Sequence, residues 1–186
     1  MHSWKHVLDA SEYNMGMLVN SLKLGCDCLG EIFYCDVHQV TWEGKVKSVE
    51  NAICMHEEGY GIQWKHYDSE SQTSEVRRSR RLVISSIFTI GNYVYGFYWY
   101  LYLDGTIQME IKLTGIVGVS AVTEATHNPA QSPLIAEGLA SPVHQHVFCF
   151  RLDWELDGGP NAIYESQIEV LPISDTNPDG TQFQSV

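Results

Sequence analysis

Positive charge is scarce in this chain. Only 11 lysines and arginines stand against 23 acidic residues, leaving a formal net charge of −12 and a pI near 4.9. A surface of that sign argues against general binding to nucleic-acid phosphates and is mildly compatible with cationic substrates such as amines. Cysteine is present in an odd number, 5, and its spacing is not that of a zinc ribbon. The opening residues lack the apolar core of a signal peptide. The longest stretch without charge, residues 82–103, could cross a bilayer on length alone. It nevertheless contains Asn92, Thr89, two serines and five tyrosines. Its β-branched and aromatic character marks buried strand, and a membrane span is rejected.

What is present is β pattern. With 186 residues the chain can hold one domain with a sizeable core. The run 82–103 reads as a long strand that ends at the turn signal Asp104-Gly105, and an alternating run at 106–113 reads as its partner. Alternation places Tyr93, Tyr95, Phe97, Trp99 and Leu101 on one face and Val94, Gly96, Tyr98, Tyr100 and Tyr102 on the other. Upstream, residues 12–24 carry Met15, Met17, Leu18 and Leu22 at loosely helical spacing, with Gly25 as a stop. Residues 31–40 and 46–55 read as a strand and its return. Gly59 and Gly61 then break the pattern before a short strand at 62–66. The polar segment 67–81, with Arg77, Arg78, Arg80 and Arg81, reads as a solvated loop end or a salt-bridged strand edge. Downstream come a small-residue strand at 115–122, a loop at 123–141, a strand at 144–152, a turn at 157–159 and a strand at 162–170. A frayed polar tail from 175 closes the chain. Many strands and few helices predict an antiparallel β-sandwich.

Three constellations could carry chemistry. His144-Gln145-His146 puts two imidazoles on one face of an extended segment, where both can reach one ion. Two ligands make an incomplete site, and His2, His6, His38, His56, His66 and His127 are the histidines left over. Asp9 follows apolar residues; a carboxylate in an apolar pocket is tuned toward general-base work, while a helix N-cap or surface Asp is the plainer reading. Cys26 and Cys28 form a Cys-x-Cys pair without a matching second pair. A bridge from either one to Cys54 would tie the first hairpin to the helix region, and Cys35 and Cys149 read as core residues. A tyrosine such as Tyr93 in a buried strand is, by pattern alone, a packing residue.

Taken together, the segments WKHVLDASEY (4–13), NSLKLGCDCLGEI (20–32), NAICMHEEGYGIQWKH (51–66), RRSRRLVISSIFTIGNYVYGFYWYLYLDG (77–105), EIKLTGI (110–116) and SPVHQHVFCFRLD (141–153) resemble the copper- and topaquinone-dependent amine oxidases. They run in that family's order and at its spacing. The resemblance implies a mainly β fold, part of the large antiparallel β-sandwich (supersandwich) catalytic domain. Residues 1–186 would be a partial catalytic domain, with the small N-terminal domains and the C-terminal half of the sandwich absent. It implies oxidative deamination of a primary amine by O2 to an aldehyde, ammonia and hydrogen peroxide. Tyr93 would be the topaquinone precursor that forms a Schiff base with the amine, and Asp9 the proton acceptor. Asn92 and Tyr95 would flank the quinone. His144 and His146 would be two of three copper ligands, and Cys28 and Cys54 a disulfide pair. Asp153, with the Trp154 carbonyl and Glu155, would fall at a peripheral calcium or manganese site. A homodimer is implied, with the arms that embrace the partner expected outside this span; no nucleic acid or membrane partner is.

The sequence departs from the family at four places. Val94 stands where the family has an acidic residue after the tyrosine. Ser11 replaces the glycine of Asp-Ala-Gly-Glu. Val7 occupies a position that is often an aromatic gate. The family's third copper histidine lies well over a hundred residues beyond His146, and this chain ends 40 residues after it (186 − 146). An inactive remnant, or a fragment lacking that ligand, is therefore the alternative reading. A small cupin-like metal-binding β-protein using His144 and His146 is a second, for which no Glu and third His appear at suitable spacing. Without a signal peptide, a peroxisomal or cytoplasmic location is expected over a secreted one.

Overall fold

The computed structural model describes residues 9–124, 128–158 and 160–186. The expectations resting on Val7, His2, His6 and His127 lie outside the described residues. The chain divides into two compact units, Met1–Val143 and His144–Val186.

The first unit is built on a five-stranded antiparallel meander in the order β1-β2-β3-β4-β5. The strands are β1 (Phe33–Val40), β2 (Val46–Asp68), β3 (Thr73–Ile90), β4 (Tyr93–Tyr102) and β5 (Ile107–Gly115). The uncharged run is thus not one strand but the end of β3, a two-residue turn and all of β4. Ile90 pairs with Tyr93 across Gly91-Asn92. Gly91 has φ +60°, a conformation that a Gly-first two-residue hairpin loop requires and that other residues reach only with strain. The second hairpin turns where expected. Gly105 has φ +85°, and the Asp104 carboxylate accepts the Thr106 N–H at 2.9 Å.

Cross-strand partners share a face. The pairings Ser85↔Tyr98 and Ser86↔Phe97 confirm the two predicted faces of β4. Both are covered to some depth: Val83 and Tyr100 are buried on one, Ile90 and Tyr95 on the other. That is the pattern of a central strand. Two short ladders add β6 (Ser120–Ala121), β7 (Leu134–Ala136) and β8 (Leu139–Ala140) in the order β6-β8-β7. The helical spacing at 12–24 resolves into two 3-10 turns, Ala10–Tyr13 and Met15–Leu18. Asn14, with φ +53°, separates them. The chain then runs extended beside β3: the Asn20 N–H donates to the Ile87 carbonyl at 2.8 Å and the Asn20 amide to Thr89 Oγ1 at 2.9 Å.

β2 does not stop at its glycines. It shifts register between Gly59 and Ile62 and continues through a bulge, which Gly61 allows with φ +87°. β1 accompanies β2 only as far as Met55, and β4 accompanies β3 only from Arg81. Beyond those points β2 and β3 continue as a two-stranded ribbon with exposed Tyr60, Ile62, Trp64, Tyr67 and Val76. The arginine run is ribbon rather than loop. Arg77 pairs with Glu75, Arg80 with Glu57 and Arg81 with Glu58.

The second unit contains one described ladder, β9 (Ile168–Val170) with β10 (Phe183–Ser185). The tail is therefore partly tied down rather than frayed. Between the strands sits Asn177, 2% exposed. Its amide donates to the carbonyls of Leu171 and Pro172, and its Oδ1 accepts from the N–H groups of Thr181 and Gln182. Residues 144–152 and 162–167 make no strand among the described residues. Their sequence favours extended chain, but a strand forms only where a neighbour supplies ladder partners.

The ribbon's root is clamped by Arg81. Its guanidinium lies 3.9 Å from the Tyr100 ring centroid and donates to Glu58 at 2.8 and 3.0 Å. Burial works to raise the Glu58 carboxyl pKa, and the Arg81 and His56 hydrogen bonds outweigh it, leaving the pKa lowered. A carboxyl with a lowered folded pKa adds stability above its unfolded value of about 4.3, and that stability is lost as pH falls through the folded value. Glu58→Gln is accordingly expected to flatten the fall in urea midpoint between neutral and acid pH. Superimposable acid limbs for wild type and variant would show that the pair makes no such contribution.

Candidate active site

Tyr93 is the first residue of β4 and pairs with Gly115, the last residue of β5. At that point β5 can only end in glycine. Gly115 has φ +98°, and a Cβ there would lie 2.5 Å from the Asn92 carbonyl oxygen and 2.8 Å from the Val94 nitrogen. The chain then folds back over the start of β4. The Ile116 N–H donates to the Asn92 carbonyl at 2.7 Å, and the Gly118 N–H donates to the Tyr93 hydroxyl at 3.1 Å. The Ser141 hydroxyl donates to the Gly118 carbonyl at 3.1 Å. A short strap, residues 115–118, thus holds both Asn92 and Tyr93. Sequence reasoning treated this segment as plain strand; the signal available was its pair of glycines.

Tyr95 lies on the same face, its ring centroid 6.5 Å from that of Tyr93. Burial first, and the neighbouring Tyr93 second, raise its hydroxyl pKa. The alternative face carries Val94, half-buried, whose carbonyl accepts the Thr114 hydroxyl at 3.3 Å.

The other expected residues fall as follows. Asp9 is exposed, and its carbonyl accepts the Glu12 N–H at 3.2 Å at the head of the first 3-10 turn. The apolar residues that precede it in the sequence lie outside the described residues. In the second unit, His144 and His146 bring their rings to a centroid separation of 4.9 Å with planes 67° apart. Two adjacent imidazoles fit copper as part of its ligand set. Among the described residues no group of three His, Cys, Asp or Glu side chains is placed to complete one. Asp153 is exposed, and the Trp154 carbonyl accepts the Asn161 amide at 2.6 Å.

Cys28 and Cys54 do come together. They are present as thiols and share a hydrogen bond, with Cys54 only 1% exposed. Burial, then the Cys28 contact, pushes the Cys54 thiol up to about 12. Cys54 also reaches His56 Nδ1 at 3.6 Å, and His56 Nε2 lies 3.1 Å from Glu58. These groups line a cavity of about 520 Å³ with Ser85 and Tyr98. Ser85 and Tyr98 belong to the face of the sheet opposite Tyr93.

The full span, residues 1–186, matches the family model described as copper amine oxidase, enzyme domain. The chain belongs to the copper amine oxidase family. It is 50% identical over 182 residues to a primary amine oxidase of Arthrobacter sp. (strain P1), covering 98% of this chain and 28% of that one. It is 49% identical over 181 residues to a histamine oxidase of Arthrobacter globiformis, covering 97% and 26%. A solved copper-containing benzylamine oxidase from Hansenula polymorpha superimposes with a TM-score of 0.72 at 28% identity, covering 92% of this chain and 27% of that one. Relatives from Nicotiana tabacum and Pichia angusta carry the word peroxisomal in their names. The chain therefore spans little more than a quarter of the length of the amine oxidases it matches. The copper amine oxidase resemblance of its motifs and its antiparallel β fold are both confirmed.

Alkylation distinguishes the thiols. At mildly alkaline pH, iodoacetamide should modify exposed Cys26 and Cys149 at least about ten-fold faster than Cys54. Mild oxidation should link Cys28, not Cys26, to Cys54. Peptide mapping that found Cys26 joined to Cys54 would contradict the arrangement described.

Proposed function

We propose that this chain forms part of the catalytic domain of a primary-amine oxidase. The reaction converts an amine R–CH2–NH2, with O2 and water, to the aldehyde R–CHO, ammonia and hydrogen peroxide. The observation that carries this reading is the placement of Tyr93. It follows a two-residue turn at the head of a central strand, with its hydroxyl fixed, in a copper amine oxidase sequence.

Tyr93 is the proposed topaquinone precursor, with His144 and His146 holding copper. Copper held there would supply, with O2, the oxidation of the Tyr93 ring, and the quinone would supply the electron sink for the amine. The chain's own residues do the rest. Gly118 N–H and the strap orient the Tyr93 oxygen, and Tyr95 packs beside it to exclude water. Asp9 accepts the proton from the amine Cα. The substrates are a primary amine and O2. A second copy of the chain is the proposed partner, supported by the exposed aromatic ribbon of β2 and β3, and a peroxisomal location is supported by the relatives so named. A peripheral calcium or manganese at Asp153 is proposed on the family resemblance alone.

Two observations favour a second reading, a chain that cannot mature by itself. Val94 supplies no negative charge beside Tyr93, and the described residues offer copper only two clustered imidazoles.

The test is to express the chain with copper under air and stain for quinone by redox cycling. The catalytic reading predicts a stain that Tyr93→Phe abolishes, and no stain on the wild type would favour the second reading. Restoring a carboxylate with Val94→Asp should raise the quinone yield, titrated with phenylhydrazine, above that of the wild type. An unchanged or lower yield would remove Val94 as a limit on maturation.

A further inference from the structure

We propose that Gly118 is a positioning residue for the Tyr93 ring, and that Ser141 locks it from behind. The inference rests on the reading of Tyr93 as cofactor precursor and extends it to residues outside the family motif around that tyrosine.

Three geometric facts converge. The Gly118 peptide is held on both sides, its N–H on the Tyr93 hydroxyl at 3.1 Å and its carbonyl by the Ser141 hydroxyl at 3.1 Å. A Cβ on Gly118 would lie 3.2 Å from the Tyr93 oxygen, closer than ordinary van der Waals contact. The strap cannot retreat as a whole, because Gly115 is wedged against backbone atoms of Asn92, Tyr93 and Val94 and Ile116 is bonded to Asn92. A side chain at 118 must therefore displace the phenol rather than the strap.

The consequence is chemical as well as steric. An N–H aimed at a phenol oxygen fixes the direction of that oxygen. Oxidation of the ring requires one orientation of the Tyr93 oxygen to be held while the ring carbons are reached by oxidant. A backbone donor with no side chain of its own does this without covering the ring.

The experiment uses the full chain labelled with 13Cζ-tyrosine and kept metal-free, with the Tyr93 signal assigned by its loss in Tyr93→Phe. Gly118→Ala should move the Tyr93 signal and leave the other tyrosine signals in place. Ser141→Ala, which leaves Gly118 intact, should move it in the same way by a smaller amount. In copper and air, each variant should form quinone about five-fold more slowly than wild type, the loss expected of one hydrogen bond. A Tyr93 signal that stays at its wild-type position in Gly118→Ala overturns the proposal. If that variant fails to fold, seen as collapse of all the tyrosine signals, an unmoved signal in Ser141→Ala overturns it instead. A wild-type chain that forms no quinone defeats the functional reading above, while the metal-free spectra still decide the positioning of Tyr93.

Discussion

The unbroken register of β4 between its two neighbours is the constraint on which the site depends. Every residue of β4 pairs with β3, from Tyr93 opposite Ile90 to Tyr102 opposite Arg81, with no bulge. The same holds against β5 as far as Leu101. Side chains alternate at every residue, so a slip of one position would send Tyr93 to the other face and bring Val94 in its place. Gly91 fixes one end of that register by closing the turn, and Gly115 fixes the opposite edge by its contact with Asn92. Two glycines without side chains thus determine which side chain reaches the site.

Around that fixed strand the structure divides its polar groups by face. Arg81, Glu58, His56 and Tyr100 form one hydrogen-bonded and cation–π cluster at the root of the ribbon. It holds the place where the sheet narrows from five strands to two. Arg81 touches three rings and a carboxylate, so the uncharged run is anchored by the charge directly before it. The Tyr93 face carries none of this network. Its rings pack on one another and on the strap.

Much of this was legible in the sequence. The alternation of 93–102, the Asp104-Gly105 turn and the antiparallel class follow from side-chain period and turn chemistry, which are local. The break at Gly91-Asn92 was hidden because apolar, β-branched residues run up to it on both sides, so the run reads as one strand although Gly-Asn is itself a turn signal. The ribbon was hidden for the opposite reason: Gly59 and Gly61 look like a stop, yet a bulge absorbs them. His144 and His146 were found by spacing, but the strand expected to carry them depends on ladder partners that local pattern cannot supply. Spacing alone left Cys26 and Cys28 equivalent as neighbours of Cys54; the family resemblance pointed to Cys28, and the path of residues 20–28 brings it there. The strap over Tyr93 joins residues 21 or more positions apart (115 − 94), and nothing in its own composition announces what it covers.

The placement of the thiols has a further meaning if Tyr93 becomes a quinone. Quinones are electrophiles that add thiols at ring carbon, and such an adduct would destroy the cofactor. Cys54 lies in the Ser85 and Tyr98 row of β2, β3 and β4, so it and the Cys28 thiol bonded to it stand on the far side of the sheet. Cys35 pairs with Ile53 in the Phe97 row, on the Tyr93 face. It is separated from β4 by two intervening strands, a distance of about 14 Å at ordinary strand spacing. The sheet therefore keeps its own thiols away from the electrophile that the same chain is proposed to make, Cys54 by face and Cys35 by distance along the sheet.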